Sequence, residues 1–261
     1  MRRIGYGNGN RYGMERPGPG VPAGRLKNGD GGRGAVASKQ GKRNEAGLNG
    51  ERTLTQMAYR KIKDMMFSYE IIPGQRLVFV DLAKKIGVSR TPVNQALGIL
   101  ASEGFLDFIP HQGYAVHELT HEEAGALYQV REIIELGAIE LAIRKMTPEK
   151  LKTLHRKKDL IAEKLTADQV SRRNFVLDQE FHLCYIDMAG NPYLTNYFQE
   201  VYQRIFLRHR LEGLSISRNQ EVVAEHEEIF KAISRKDVKR AKELLKRHIR
   251  SAEKSIFSVF G

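Results

Sequence analysis

Two short apolar stripes flank Gly87-Val88-Ser89, and this turn restricts the fold more than any other feature of the chain. Leu77 to Ile86 has a helical pattern that Gly87 closes, because glycine takes the positive φ that a tight turn between helices requires. Val88 fills the space between the two helices. Ser89 is expected to cap the second helix by accepting a backbone N–H. Pro92 falls in the first turn, where its missing N–H would have had no partner anyway, so it starts the helix and does not break it. Val93, Ala96, Leu97 and Leu100 then form a buried stripe at i, i+3, i+4 and i+7, which leaves Arg90, Thr91, Asn94 and Gln95 outside.

The flanking segments complete a small domain. Leu54, Met57, Ala58, Ile62, Met65 and Met66 recur at helical spacing, which predicts a helix of about 15 residues ahead of Ile72-Pro73-Gly74. After Gly104 the period shifts to two in Phe105 to Ile109 and Tyr114 to Val116, with Pro110-His111-Gln112-Gly113 between them, which predicts a hairpin. The outward residues of the second helix are groove-reading types. Arginine pairs with guanine, asparagine and glutamine with adenine, and a capping serine or threonine with phosphate. The hairpin tip, His111 and Gly113 included, would approach the sugar-phosphate backbone or the minor groove. The plainer alternative is a helix-turn-helix used only for packing. It explains less, because cap, turn, stripe, polar face and hairpin agree.

Composition divides the chain near residue 50. Residues 1–50 hold ten basic and three acidic residues and 14 of the 24 glycines, with no apolar period, and are expected to be a disordered extension. Its Arg-Gly pairs and Tyr6 and Tyr12 could touch nucleic acid loosely, although a solvated extension without a dedicated role is the simpler reading. The total charge of +12 therefore does not by itself establish a polyanion partner. Residues 51–118 read as the winged helix-turn-helix. Residues 119–261 read as six helices in short succession, an antiparallel bundle, with breaks near 147–148, 166–168, 190–192, 213–217 and 234–237. Thr147 and Asn191 are expected to cap the helices that Pro148 and Pro192 open. The fold class is thus mainly α, with a small β-hairpin wing. A single cysteine, Cys184, excludes an internal disulfide and suits a reducing compartment as an ordinary packed residue. No stretch approaches membrane-spanning length, and Met1-Arg2-Arg3 leads into glycine and asparagine where a secretory signal would be apolar, so a cytoplasmic protein is expected.

The helical half carries a candidate metal site. Asp178 and His182 are one turn apart on one face. His226 and His248 lie on two helices joined near 234–237, about 13 Å and 18 Å from the turn, and can meet at similar depth. Three imidazoles and one carboxylate suit Zn²⁺, Ni²⁺, Mn²⁺ or Fe²⁺ with coordination left open, and the absence of thiolates argues against a closed structural zinc site. A surface hydrogen bond between Asp178 and His182 is the ordinary alternative for that spacing. An open site of this kind could also activate water, so a metal-dependent hydrolase is a second reading, although no further acid, base or nucleophile completes it. His117, His121 and His155 are expected to be exposed, and His209 to be exposed or at a domain surface.

Gly74-Gln-Arg-Leu77, Leu82-Ala83, Ile86-Gly-Val-Ser-Arg-Thr-Pro-Val93, Ala96-Leu97, Leu100, Glu103-Gly104 and Gly113 resemble the winged helix of GntR-family transcriptional regulators over about residues 54 to 117. Asp178-Gln-Glu-Phe-His182, the Glu225-His226 helix and His248 resemble the FCD ligand-binding domain of the family's FadR-like branch over about residues 120 to 258. The resemblance implies a homodimer on a pseudo-palindromic DNA operator, with Arg90, Thr91 and Gly113 among the contacts. It further implies a divalent metal, zinc ahead of nickel, manganese or iron, on Asp178, His182, His226 and His248, beside a pocket for a small carboxylate effector that releases repression. Arg131 either pairs with that carboxylate or serves Glu135 at i+4, and Asn174 lies one turn before Asp178. Asn94 departs from the Arg that the family usually carries after Pro-Val, and is expected to favour adenine. Val80 stands where some relatives use Arg.

Overall fold

Helix α1 (Ser38–Phe67) is followed by β1 (Arg76–Leu77), α2 (Phe79–Ile86), α3 (Arg90–Ser102), β2 (Leu106–Ile109) and β3 (Gly113–Val116). Six helices come next: α4 (His121–Arg144), α5 (Pro148–Lys164), α6 (Arg172–Met188), α7 (Pro192–Arg208), α8 (Ser217–Ser234) and α9 (Val238–Phe257). The computed structural model describes residues 38–165, 171–211, 214, 215 and 217–258. Residues 45–261 form one compact unit; of the other, residues 1–44, only the first turns of α1 are described.

The predicted stripe of α3 is buried as read, with Val93, Ala96, Leu97 and Leu100 wholly out of solvent against Ala58 and Ile62 of α1 in the same core. Gly87 closes α2 at φ 83°, and Val88 packs into that core while its N–H bonds the Ala83 carbonyl. The β2–β3 hairpin forms in the register Leu106↔Val116 to Ile109↔Gly113.

Three local expectations need correction. The segment read as one helix from Leu77 divides, because Arg76 and Leu77 pair with Ala115 and Tyr114 of β3 as a third strand, so α2 begins only at Phe79. Ser89 takes the N-cap position but makes no capping hydrogen bond; the N–H it would receive is that of the third helical residue, and that residue is Pro92. Helix α1 starts at Ser38, inside the stretch expected to be disordered. Lys39, Gln40, Lys42, Arg43, Glu45, Ala46 and Leu48 are good helix formers, and extending a helix already nucleated at Leu54 costs little per residue. The rest of that stretch, and the break at 166–168, lie outside the described residues.

In the helical half, the expected caps hold: Thr147 accepts from Lys150 N–H at 3.3 Å and Asn191 from Tyr193 N–H at 3.1 Å. Thr120 and Glu123 add a capping box at the start of α4. Helix α4 packs against α6, α7 and α9, and α8 runs beside α9, so the inner faces of α4, α6, α8 and α9 meet in one place. His209 is 3% exposed, contrary to its expected surface position. Its neighbours explain the difference: Arg208 and Arg210 are tied to Glu123 and Glu118, which anchors the end of α7 and turns His209 toward Phe175. His121 and His155 are exposed, whereas His117 is held between Asp107 (2.7 Å) and Glu123 (2.9 Å). Cys184 is a half-buried free thiol whose pKa burial pushes up to about 11, so it is a packing residue without thiolate character.

Candidate functional site

Four side chains from three helices converge in the bundle. His182 Nε2 lies 3.0 Å from His248 Nε2 and 3.3 Å from His226 Nε2, and Asp178 Oδ1 lies 3.3 to 3.6 Å from all three nitrogens. The imidazoles are wholly buried, and Asp178 is half-buried, its side chain 17% exposed. These are the four residues that the sequence reading assembled.

The surroundings decide which way each ring presents its lone pair. His182 Nδ1 donates to Glu135, which also accepts from Tyr185, and His248 Nδ1 donates to Glu225 at 2.7 Å. Both rings therefore turn an Nε2 lone pair to the centre. Asp178 divides its oxygens: Tyr202 donates to Oδ2 at 3.0 Å and Arg131 lies 3.6 Å from it, while Oδ1 faces the imidazoles. Lone pairs and a carboxylate oxygen aimed at one point repel unless a cation lies among them. Ligands about 2.0 to 2.1 Å from zinc and about 90 to 110° apart sit roughly 2.9 to 3.4 Å from one another, which matches the imidazole spacing here. The residues present fit a divalent metal.

Electrostatics follow from the same contacts. Burial alone would raise the Asp178 carboxyl, but the imidazoles around it, His182 first, hold it well below the usual carboxylate range. Burial likewise opposes the charge on Glu135, yet His182 and Arg131 bring its pKa to about 2. Glu225 reaches about 2 against its burial through hydrogen bonds from His248 and Arg218. His226 is lowered to about 3, mainly by burial, so it stays neutral as a ligand must.

A cavity of about 80 Å³ opens beside this cluster and is lined by Arg131, Asn174, Asp178, Arg218, Asn219 and His248 among others. Arg131 does both things that the sequence left open. It donates from Nε to Glu135 at 2.5 Å and also lines the cavity, 3.3 Å from His182 Nε2. Asn174 reaches the cavity too, but its amide is engaged, donating to Asn219 at 3.1 Å and accepting from Ser171 at 3.0 Å. Sequence reasoning missed Arg218 and the positioning roles of Glu135, Tyr185, Tyr202 and Glu225. Only the i, i+7 spacing of Arg218 and Glu225, two helical turns apart, was there to be seen.

The other predicted face lies on α3. Ser89, Arg90, Thr91 and Asn94 are exposed, and Arg90 has no ion-pair partner among the described residues. Gln95 is exposed as well, but its Oε1 accepts from Thr55 of α1 at 2.6 Å, which ties it partly to the fold. At the hairpin tip His111 is exposed with φ 62°, and Gly113 has φ 88°. A side chain at Gly113 would meet the Phe79 ring at 3.2 Å, so packing needs the glycine as much as any external contact does.

A helix-turn-helix with an exposed polar face, joined to a helical bundle that gathers an Asp/His cluster beside a cavity, is the arrangement of a DNA-binding transcriptional regulator. The chain belongs to the GntR family: residues 54–116 match the family described as bacterial regulatory proteins, gntR family, and residues 126–251 match the FCD domain. It is 30% identical over 201 residues to an HTH-type transcriptional regulator in an unstable DNA locus of Streptomyces ambofaciens, covering 77% of this chain and 84% of that one. It is 28% identical over 191 residues to the HTH-type transcriptional regulator YdhC of Bacillus subtilis, covering 73% and 84%. Among solved structures, Escherichia coli McbR/YncC shares the fold with a TM-score of 0.69 at 21% identity, over 80% of this chain and 99% of that one. The family and these relatives are regulators, not enzymes, which sets aside the hydrolase reading.

Proposed function

We propose that the chain is a one-component repressor of the cytoplasm, in which the 51–118 domain reads an operator and the 119–261 domain senses a metal-assisted small carboxylate. Two copies would bind a pseudo-palindromic site as a homodimer, each laying α3 in a major groove with Arg90 on guanine, Asn94 on adenine, and Ser89, Thr91 and the β2–β3 tip with His111 and Gly113 on the backbone. Gln95 has the smaller part, because Thr55 holds its oxygen.

The observation that carries the sensing half is that Asp178 and His248, two of the four converging ligands, also line the cavity with Arg131. Asp178, His182, His226 and His248 would hold the divalent ion, zinc first and nickel, manganese or iron as substitutes. When bound, the ion would supply a Lewis acid for the effector's carboxylate. Arg131 supplies a guanidinium beside that carboxylate. Asn174 and Asn219 shape the same cavity wall through their mutual hydrogen bond. Glu135 and Glu225 keep the imidazole lone pairs inward. Effector binding would change DNA affinity through its unequal affinity for the two arrangements of the dimer.

Selection from a random duplex pool tests the DNA half. The expected product is an inverted repeat, and Arg90→Ala should lose roughly 5- to 150-fold of its discrimination in a band shift, as one bidentate base contact of about 1 to 3 kcal/mol requires. Selection that enriches no sequence at physiological salt would overturn the reading.

A further inference from the structure

The charge and lining of the cavity restrict the kind of acid it can hold. Three lining residues are charged by formal type, Arg131, Asp178 and Arg218; the rest are uncharged side chains, apart from His248, neutral as a ligand. Both guanidiniums are already paired. Arg131 serves Glu135, and Arg218 holds Glu225 through two nitrogens at 3.0 and 2.6 Å, with Glu221 at 3.0 Å from the first. Glu221 is 59% exposed and screened by water, so it counts little inside the site; the two inner pairs, Arg131–Glu135 and Arg218–Glu225, cancel, which leaves Asp178 alone against the dication proposed above. The balance is a single positive charge in a site nine-tenths or more buried at its imidazoles.

One carboxylate neutralises that excess. A second would be an uncompensated anion, taken out of water without a free cation among the described residues to receive it. The remaining lining includes Leu165, Phe175, Ile205, Leu214, Val222 and Ile256, which suit an alkyl chain. Arg218 Nε is buried with no hydrogen-bond partner among the described residues, a single donor that can meet one oxygen but cannot clasp a carboxylate through two parallel N–H groups. The volume of about 80 Å³ accommodates roughly five to eight water-sized groups.

We infer that the effector is a short monocarboxylate with an apolar chain, and that dicarboxylates of the same size are rejected. The inference rests on the metal-assisted carboxylate site proposed above.

Titration calorimetry on the full chain loaded with zinc distinguishes the two levels, using hexanoate, succinate and hexanol as probes; the two acids have equal numbers of non-hydrogen atoms. Hexanoate should bind at least about tenfold more tightly than succinate, as an unpaired buried charge requires, and hexanol should bind weakly or not at all. Succinate binding as tightly as hexanoate would overturn the monocarboxylate inference and leave the acid-sensing site intact. Hexanol equal to hexanoate would also overturn it, since the carboxylate would then contribute nothing. Binding of neither acid to zinc-loaded protein would overturn the acid-sensing reading itself, and the inference with it.

Discussion

His182 donates from Nδ1 to Glu135 and faces two other imidazole nitrogens with Nε2, so in its neutral form its lone pair points at theirs, a crowding that a cation at the centre relieves. Its orienting carboxylate, Glu135, is buried and that of His248, Glu225, half-buried, and each is held by an arginine of its own, which restrains the rings from rotating away. Glu225→Gln keeps the shape but weakens the hold on His248 Nδ1, and metal affinity measured against a competing chelator should fall by about 10- to 100-fold. Unchanged affinity would mean that His248 is not a ligand. Protonation tells the same story through stability. Glu135 and Glu225, both lowered to about 2, contribute stability that is fully present above their unfolded value of 4.5 and lost as pH falls through 2. His226, lowered to about 3, adds a loss that begins below 6.5. His182 acts in the opposite sense, because its raised pKa gives stability present below 6.5 that fades as pH rises through the folded value. For metal-free protein, the urea midpoint should therefore decline between about pH 6 and pH 2, and a midpoint that rises across that window would contradict these assignments.

At the scale of elements, α3 is positioned by its buried stripe and by the glycine turn ahead of it, and the hairpin by its packing on α2. Gly113 joins the last two: its φ of 88° and the Phe79 ring at 3.2 Å both exclude a side chain. Gly113→Val should cost on the order of 1 to 3 kcal/mol and lower the midpoint of chemical unfolding, whereas a neutral effect would show that the hairpin shifts freely. This is also where legibility in the sequence divides. The α3 stripe, the turn at Gly87, the hairpin and the caps at Thr147 and Asn191 could be read because each depends on neighbours within a few residues. Strand β1 could not, since Arg76 and Leu77 are strand only by virtue of Ala115 and Tyr114, far along the chain. The convergence of Asp178, His182, His226 and His248 was legible from helical spacing and antiparallel return. Its supporting set was not, because Glu135 and Tyr185 acquire their roles from helices that pack against one another without any sequence mark, and Arg218 showed only its spacing to Glu225 on the same helix. Ser89 shows how a sound local rule fails when Pro92 removes the donor it needs.

At the scale of the whole molecule, the regulator requires a connection from the bundle to the reading domain. The contacts at that junction are specific. Leu119 N–H bonds the Arg208 carbonyl at 2.9 Å, Arg208 pairs with Glu123 at 2.5 Å, and Tyr69 accepts from Leu211 N–H at 3.2 Å. Arg172, at the start of the helix that carries Asp178 and His182, lies over the Tyr69 ring at 4.4 Å and bonds the carbonyls of Phe206 and His209. A change at the ligand cluster thus has α6 and the end of α7 as a physical route to the α1–β1 turn, a spatial path whose coupling depends on two arrangements of the same contacts. Everything in that chain of events begins with a cation at the four converging ligands. Elemental mass spectrometry of the full chain after exposure to zinc and removal of the excess measures this directly. The account predicts one ion per chain, lost in His182→Ala and in His248→Ala while circular dichroism shows the helices retained; a chain that takes up no metal, or variants that hold as much as the original, would contradict it.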